Sequence, residues 1–240
     1  MHISSMRKKY ILRFVFRLVA LTAGFLLYFL KPSAFDVMNG WNFFKQFSVL
    51  HIFWIIWVGD MLAQLIPSKD YISMGAQKLF FTHFRKNKKM SKRLEELKAY
   101  IKINNYACVK IAVAWGLLIG AIGALAITGV LKKQELFLIT AIFYVCDIIC
   151  VLFWCPFRVF FLKNRCCMTC RIFNWDHLMM FSPFFFTTGF YSLSLLFLSI
   201  VVFLIWEICI FTHPERFWEG TNDTLKCKNC TEQLCGKKHD

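Results

Sequence analysis

The sequence predicts an all-α fold, a polytopic membrane bundle of about five transmembrane helices, on three observations. Hydrophobic residues make up 58% of the 240-residue chain, 28 of them Phe, and mean hydropathy is +0.52, well above the composition of soluble domains. Five apolar windows are long enough to cross a bilayer. Lys and Arg collect between those windows. Disorder, collagen and a disulfide-stapled miniprotein are excluded: apolar content is too high, Gly too low at 11 residues, and 11 Cys in 240 too sparse for a scaffold.

A crossing helix needs about 20 mostly apolar residues, because lipid offers backbone polar groups no partner. The first window is 11–30, with Arg13 and Arg17 expected to snorkel to the interface. The second, 46–66, stops at Pro67. The third, 107–131, carries Gly116, Gly120 and Ala124 at every fourth position, a stripe expected to let a neighbouring helix approach. The short Lys132-Lys133-Gln134-Glu135 link makes the fourth, 136–161, its antiparallel partner. The last apolar stretch, Leu178 to Thr212, has 35 residues and contains Pro183 and Gly189. It reads as an interfacial or re-entrant lead-in followed by one span at 189–211. The domain reading is a bundle over 1–212 with a Cys-rich polar tail at 213–240. No cleavable signal peptide is expected: the first run has spanning length and no small-residue cleavage site follows it.

With the amino terminus in the cytoplasm of a cell-membrane protein, segments 1–10, 67–106 and 162–177 hold 16 basic residues inside, against nine in 31–45, 131–135 and 213–240 outside. The basic loop 67–106 interleaves Phe80, Phe81 and Phe84 with Lys78, Arg85, Lys86, Lys88 and Lys89. That pattern fits contact with anionic lipid, and nucleic acid is disfavoured. Ser91 is expected to cap a short amphipathic helix, with Leu94, Leu97 and Ile101 on one face, lying flat on the membrane.

The cysteines carry the candidate chemistry. Cys146, Cys150 and Cys155 lie in the fourth window, and Cys166, Cys167 and Cys170 form a cluster in the interfacial loop 162–177. Cys108 and Cys209 read as apolar packing. Arg165 and Arg171 flank the cluster, and nearby positive charge favours the thiolate. Cys155 added to Cys166, Cys167 and Cys170 gives four sulfurs, suited to Zn²⁺ or an iron–sulfur cluster. In the tail, Cys227, Cys230, Cys235 and His239 follow Cys-x2-Cys-x4-Cys-x3-His. This spacing is similar to that of the zinc knuckles, with the last two ligand types exchanged and one gap a residue shorter, and the resemblance implies a Zn²⁺ site. A disulfide is the competing reading. Asn222-Asp223-Thr224 and Asn229-Cys230-Thr231 match the glycosylation triplet.

Ionised groups at membrane depth cost roughly 2.5–3.5 kcal/mol or more, so Asp60, Asp147 and Glu207 draw attention, Asp147 most because it lies deepest. It shares a helix face with Cys150, and a carboxylate beside thiols accepts their protons or passes a soft ion. Asp176 and His177 read as a solvated helix start, and His213, Glu215 and Arg216 as a polar helix end. No phosphate-cradling Gly loop, nucleophile elbow or His-Glu-x-x-His helix is present, which disfavours a phosphotransferase or a serine hydrolase.

Three functions remain. The first is a membrane-embedded thiol or metal centre in redox work, with Cys167, Cys170, Asp147 and Cys150 as the reactive groups and a quinone or a partner protein exchanging electrons. The second is transport of a soft transition metal: Cys155-Pro156 resembles the Cys-Pro element of heavy-metal pumps. The third is a non-catalytic assembly subunit stapled by metal or disulfides.

Overall fold

The computed structural model describes residues 5–67, 73–88, 93–164 and 166–230; Lys89, Ser91, Arg165, Cys235 and His239 lie outside them. The fold is all-α, with helices α1 (Ser5–Leu30), α2 (Leu50–Gln64), α3 (Met74–Gln77), α4 (Leu94–Ile127), α5 (Lys133–Leu152), α6 (Asp176–Phe181) and α7 (Phe190–Thr212) joined by short 3₁₀ turns. Four of them, α1, α4, α5 and α7, are long and apolar enough to cross a membrane. The second window yields a shorter element: α2 has 15 residues, about 22 Å at 1.5 Å per residue.

Where α1 ends, the bundle is clasped. Tyr28 Oη donates to Glu135 Oε1 at 2.8 Å, while Glu135 Oε2 accepts from Lys132 N at 2.8 Å and so caps α5. Lys133 pairs with Asp36 at 3.0 Å. Phe190 N donates to Gly40 O at 2.9 Å, bringing the start of α7 to the same place. Below the clasp, Trp57, Phe137, Phe181, Phe184 and Tyr191 are almost fully buried and form the centre of the core. Trp57 meets the rings of Phe53, Phe137 and Phe181 at centroid distances of 5.4–5.8 Å, within the range in which aromatic pairs attract.

Three expectations change. First, α4 is one helix of 34 residues. The segment expected to lie flat is its first three turns, with Leu97 buried and Leu94 exposed. No Pro or Gly interrupts it before Gly116, and Glu95 and Glu96 complement its amino-terminal dipole. Its stripe of Gly116, Gly120 and Ala124 faces away from the bundle, and the tight approach occurs at Gly123, where a β-carbon would overlap the ring of Phe186.

Second, the fourth window is not one helix to 161. α5 stops at Leu152, and Pro156 opens a separate π-helical turn, Phe157–Leu162. Proline cannot continue a helix, lacking the N–H and clashing with the preceding turn.

Third, the stretch Leu178 to Thr212 runs the length of the bundle twice. Trp175 sits beside Glu207 near the end of α7 (Nε1 to Oε1, 2.7 Å), whereas Thr188 O accepts from Gly40 N at the clasp. Between them α6 and the 3₁₀ segment Ser182–Phe186 pass through the core, antiparallel to α7. Non-helical backbone is tolerated at such depth when protein covers it, and Phe181, Ser182, Pro183 and Phe184 are buried. The reversal falls at Gly189, whose φ of +154° and close approach to Met38 O leave no room for a side chain.

The second pass decides where the carboxy-terminal segment lies. Residues 213–230 pack at the end of the bundle where α1 begins, against residues 79–87, and not at the clasp. Asn87 N donates to Thr221 O at 2.9 Å and Asp223 N to Arg85 O at 2.8 Å. Tyr100 stacks on Trp218 at 5.5 Å. Asn222 is the hub of this contact, 1% exposed, with Nδ2 donating to Arg216 O at 2.8 Å. Its amide is therefore spent inside the fold, against the reading as a glycan acceptor.

Candidate functional site

Between α1, α2, α5 and α6, towards the end of the bundle where α1 begins, lies a cavity of about 350 Å³, within the size range of organic-ligand sites. Cys146, Cys150, Cys155, Cys167 and Cys170 all line it, as do Arg17, Asp60, Asp147, Asp176, His177 and Gln64. Separate stretches of sequence thus converge on one space.

α1 and α5 supply the ion pair. Arg17 Nη1 donates to Asp147 Oδ2 at 2.5 Å and to Tyr144 O at 2.7 Å, and its guanidinium lies 3.9 Å from the centre of the Tyr144 ring. The same cation stands 4.0 Å from Asp60, which accepts from Tyr144 Oη at 2.7 Å. Arg17 therefore does not snorkel: its side chain is 12% exposed and neutralises Asp147. The signal was present in the sequence, since an Arg and an Asp buried in two crossing helices are expected to find one another.

α2 and α6 supply the second polar group. Asp176 and His177 are not a solvated helix start, because the first pass of the final stretch carries them into the core, where His177 is 3% exposed. His177 Nδ1 lies 3.0 Å from Asp176 Oδ1. Gln64 Nε2 lies 3.4 Å from Asp176 Oδ2 and 3.2 Å from His177 Nδ1, and its Oε1 is buried without a hydrogen-bond partner. His51 stays apart, bound to the backbone of Ser48 and Phe43.

The thiols gather where α5 breaks. Cys150 and Cys155 are hydrogen-bonded neighbours, and Cys167 Sγ donates to Cys150 O at 3.7 Å. Cys155 lies beyond α5. The Cys150 thiol, then the backbone N–H groups of Arg158 and Phe157 at the start of the π-helical turn, bring its pKa down to about 6, as helix amino termini do for reactive cysteines. Burial instead pushes Cys167 and Cys170 up to about 12. The expectation that flanking arginines would hold these two as thiolates fails for Arg171, which turns away to grip Glu207 with both guanidinium nitrogens at 2.6 Å. The cation beside Cys170 is Lys78, 3% exposed, whose Nζ donates to Cys170 O at 2.8 Å; burial brings its pKa down to about 8.

The four sulfurs proposed for one ion, Cys155, Cys166, Cys167 and Cys170, are not drawn round a point. Among the described residues no three His, Cys, Asp or Glu side chains are grouped to hold a metal ion. The 3₁₀ turn Cys167–Thr169 sends neighbouring side chains apart: Cys167 turns to α5, Cys170 to Cys108 and Ile111 of α4, and Cys166 is absent from the cavity wall. Cys227 and Cys230 lie elsewhere, in the carboxy-terminal segment, with their predicted companions Cys235 and His239 outside the described residues.

Comparison with protein-family models, curated proteins and solved structures finds no match.

Proposed function

We propose that the chain is a multi-pass protein of the cell membrane whose cavity is a thiol–disulfide redox centre. Cys155 is the attacking thiolate and Cys150 its partner. Cys167, beside Cys150, passes the bond onward toward Cys170. The observation that carries this reading is the convergence of five thiols from three chain segments on one cavity, with Cys155 hydrogen-bonded to Cys150. Oxidation of the pair passes two electrons, and releases the proton of Cys150, to an acceptor in the membrane or to a partner protein. The guanidinium of Arg17 beside Asp147 speaks against the alternative in which Asp147, Cys146 and Cys150 line a path for a soft cation.

The amino terminus is assigned to the cytoplasm. With the carboxy-terminal segment at the same end, 1–10, 67–106, 162–177 and 213–230 hold 19 basic residues, against four in 31–45 and 131–135, a stronger bias than the sequence count alone. The exposed Phe81 and the basic residues around it face anionic lipid at that surface; Lys78 does not join them, being buried.

A second reading concerns Cys227 and Cys230, which bind Zn²⁺ with Cys235 and His239 as a structural staple. The 3₁₀ turn Cys227–Asn229 favours it, with Cys230 N donating to Cys227 O at 3.1 Å, since ligands two residues apart grip one ion from a tight turn.

The redox reading is tested by alkylating purified protein after mild oxidation with diamide and after reduction. Cys150 and Cys155 should be lost together as one disulfide and recovered on reduction, and Cys155→Ser should leave Cys150 labelled throughout. A pair that stays fully alkylated after diamide sinks the reading.

A further inference from the structure

We infer that the cavity is a quinone site: a lipid-soluble quinone enters beside Arg13 and Cys146, takes the electrons of the Cys150–Cys155 pair and leaves as hydroquinone. The inference rests on the thiol–disulfide reading and adds the substrate class.

Four features of the cavity point to that occupant. Its volume of about 350 Å³ holds one substituted ring and the beginning of a tail. Its apolar wall is built from flat and deformable side chains, Trp115, Phe143, Phe157 and Met179, with the Trp115 and Phe143 rings 4.9 Å apart. Such a wall suits an aromatic ring. Two exposed lining residues, Arg13 on α1 and Cys146 on α5, belong to helices long enough to cross the membrane, so the opening meets lipid and a hydrocarbon tail stays there.

The polar wall discriminates further. Several of its donors have partners within the protein: Arg17 on Asp147 and Tyr144 O, the Trp115 indole on Ser182 Oγ, the Gln64 amide nitrogen beside Asp176 Oδ2 and His177 Nδ1, and His177 Nδ1 on Asp176 Oδ1, while Arg13 stands at the opening. What remains towards the cavity is rich in acceptors, the carboxylates of Asp60, Asp147 and Asp176 and the unpartnered, buried Oε1 of Gln64. An orphaned buried acceptor is costly until a ligand brings it a donor. A quinone offers only acceptors, whereas a hydroquinone offers two O–H groups. The wall therefore binds the reduced form more tightly and draws the electron pair off the thiols, as any ligand shifts an equilibrium towards the state it prefers.

The step balances without another reagent. The S–H bond of Cys150 breaks, the Cys155 thiolate closes one S–S bond with it, the electron pair enters the ring, and the two protons on its two oxygens are the one released by Cys150 and one from water, to which Cys155 had already lost its own.

The test uses full-length protein in detergent, reduced and freed of reductant. A fully ring-substituted benzoquinone with a decyl tail is then added; full substitution blocks thiol addition to the ring. The expected result is one quinone reduced for each pair of thiols lost, followed by ultraviolet absorbance and alkylation. Gln64→Leu should weaken hydroquinone binding about tenfold, the scale of one lost buried hydrogen bond. Closure by diamide but not by the quinone, or hydroquinone binding indifferent to Gln64→Leu, overturns the quinone assignment and leaves the thiol couple standing. Failure of both oxidants removes the thiol couple itself.

Discussion

Two Cys-x2-Cys turns in this molecule have nearly the same backbone and quite different surroundings. In Cys167–Cys170 the second N–H donates to the first carbonyl at 3.0 Å, and in Cys227–Cys230 at 3.1 Å. Both are three-residue 3₁₀ turns that end in an extended cysteine. Yet Cys170 is buried among Cys108, Ile111 and Ile172, with Lys78 on its carbonyl, and Cys167 reaches the broken end of α5. Cys227 and Cys230 sit half-buried at the surface, next to the Lys226–Asp223 pair. Spacing dictates the turn. What the fold packs against it dictates the chemistry, and the first turn lines one cavity with Cys150 and Cys155.

The largest test of that contrast bears on what holds each turn's surroundings together. Around the cavity the anchor is the buried Arg17–Asp147 pair, and around the tail it is the partly exposed Lys226–Asp223 pair at 2.6 Å. Removing one partner of a buried pair leaves an uncompensated charge, so Arg17→Met should cost about 3–5 kcal/mol, against at most about 1 kcal/mol for Lys226→Met. Denaturation followed through tryptophan fluorescence measures both. Arg17→Met with Asp147→Leu should recover part of the loss, because the stranded carboxylate is gone. Equal costs for the two single variants would erase the distinction between a buried and a surface thiol region.

Much of the scaffold is legible in the sequence, and the failures have physical causes. The windows at 11–30, 136–161 and 189–211 anticipate α1, α5 and α7, because uninterrupted apolar length is what a crossing helix requires. The double pass from Asp176 to Thr212 escapes a count based on upright helices. Its first leg is a six-residue helix followed by a 3₁₀ segment, which covers more length per residue than an α-helix, and its polar backbone is sheltered by protein. The gathering of thiols is half legible: the sequence points to Cys150, Cys167 and Cys170 with Asp147 as reactive groups, but reads Cys155 only as a metal ligand beside Cys166, Cys167 and Cys170. Its own signal was Pro156. A proline opening a helical turn leaves the following N–H groups free to face the residue before it. Nothing in local sequence announces Lys78, which stands 92 residues from the Cys170 carbonyl it binds.

A middle-sized effect separates the two turns by detaching one of them. Asn222 Oδ1 accepts from Arg85 N at 3.3 Å and from Thr224 Oγ1 at 2.7 Å, and its Nδ2 serves Arg216 O. Asn222→Ala should cost about 1–3 kcal/mol, the price of buried groups left without partners. The loss should be local: Cys227 and Cys230 label faster and limited proteolysis cuts within 213–230, while labelling of Cys150 and Cys155 is unchanged. Faster labelling at all four positions would mean that the carboxy-terminal segment also holds the cavity closed.

The smallest effect is a pH profile within the cavity, read under reducing conditions by quantifying iodoacetamide-labelled peptides from pH 5 to 9. Cys155 is lowered to about 6, so its reactive thiolate accumulates as pH rises through that value and is nearly complete by pH 7. Its labelling rate should climb about tenfold between pH 5 and 7 and then level off, since the thiolate is the nucleophile. Cys167, raised to about 12 by burial, remains protonated across the range and should still be gaining about tenfold per pH unit at pH 9. Cys150→Ala removes the largest influence on Cys155 and should move its plateau to higher pH, with the Cys167 profile unmoved. A Cys155 rate that rises without a plateau to pH 9 in the unaltered protein would show that neither Cys150 nor the N–H groups of Phe157 and Arg158 stabilise the thiolate, and the contrast between the two turns would then rest on burial alone.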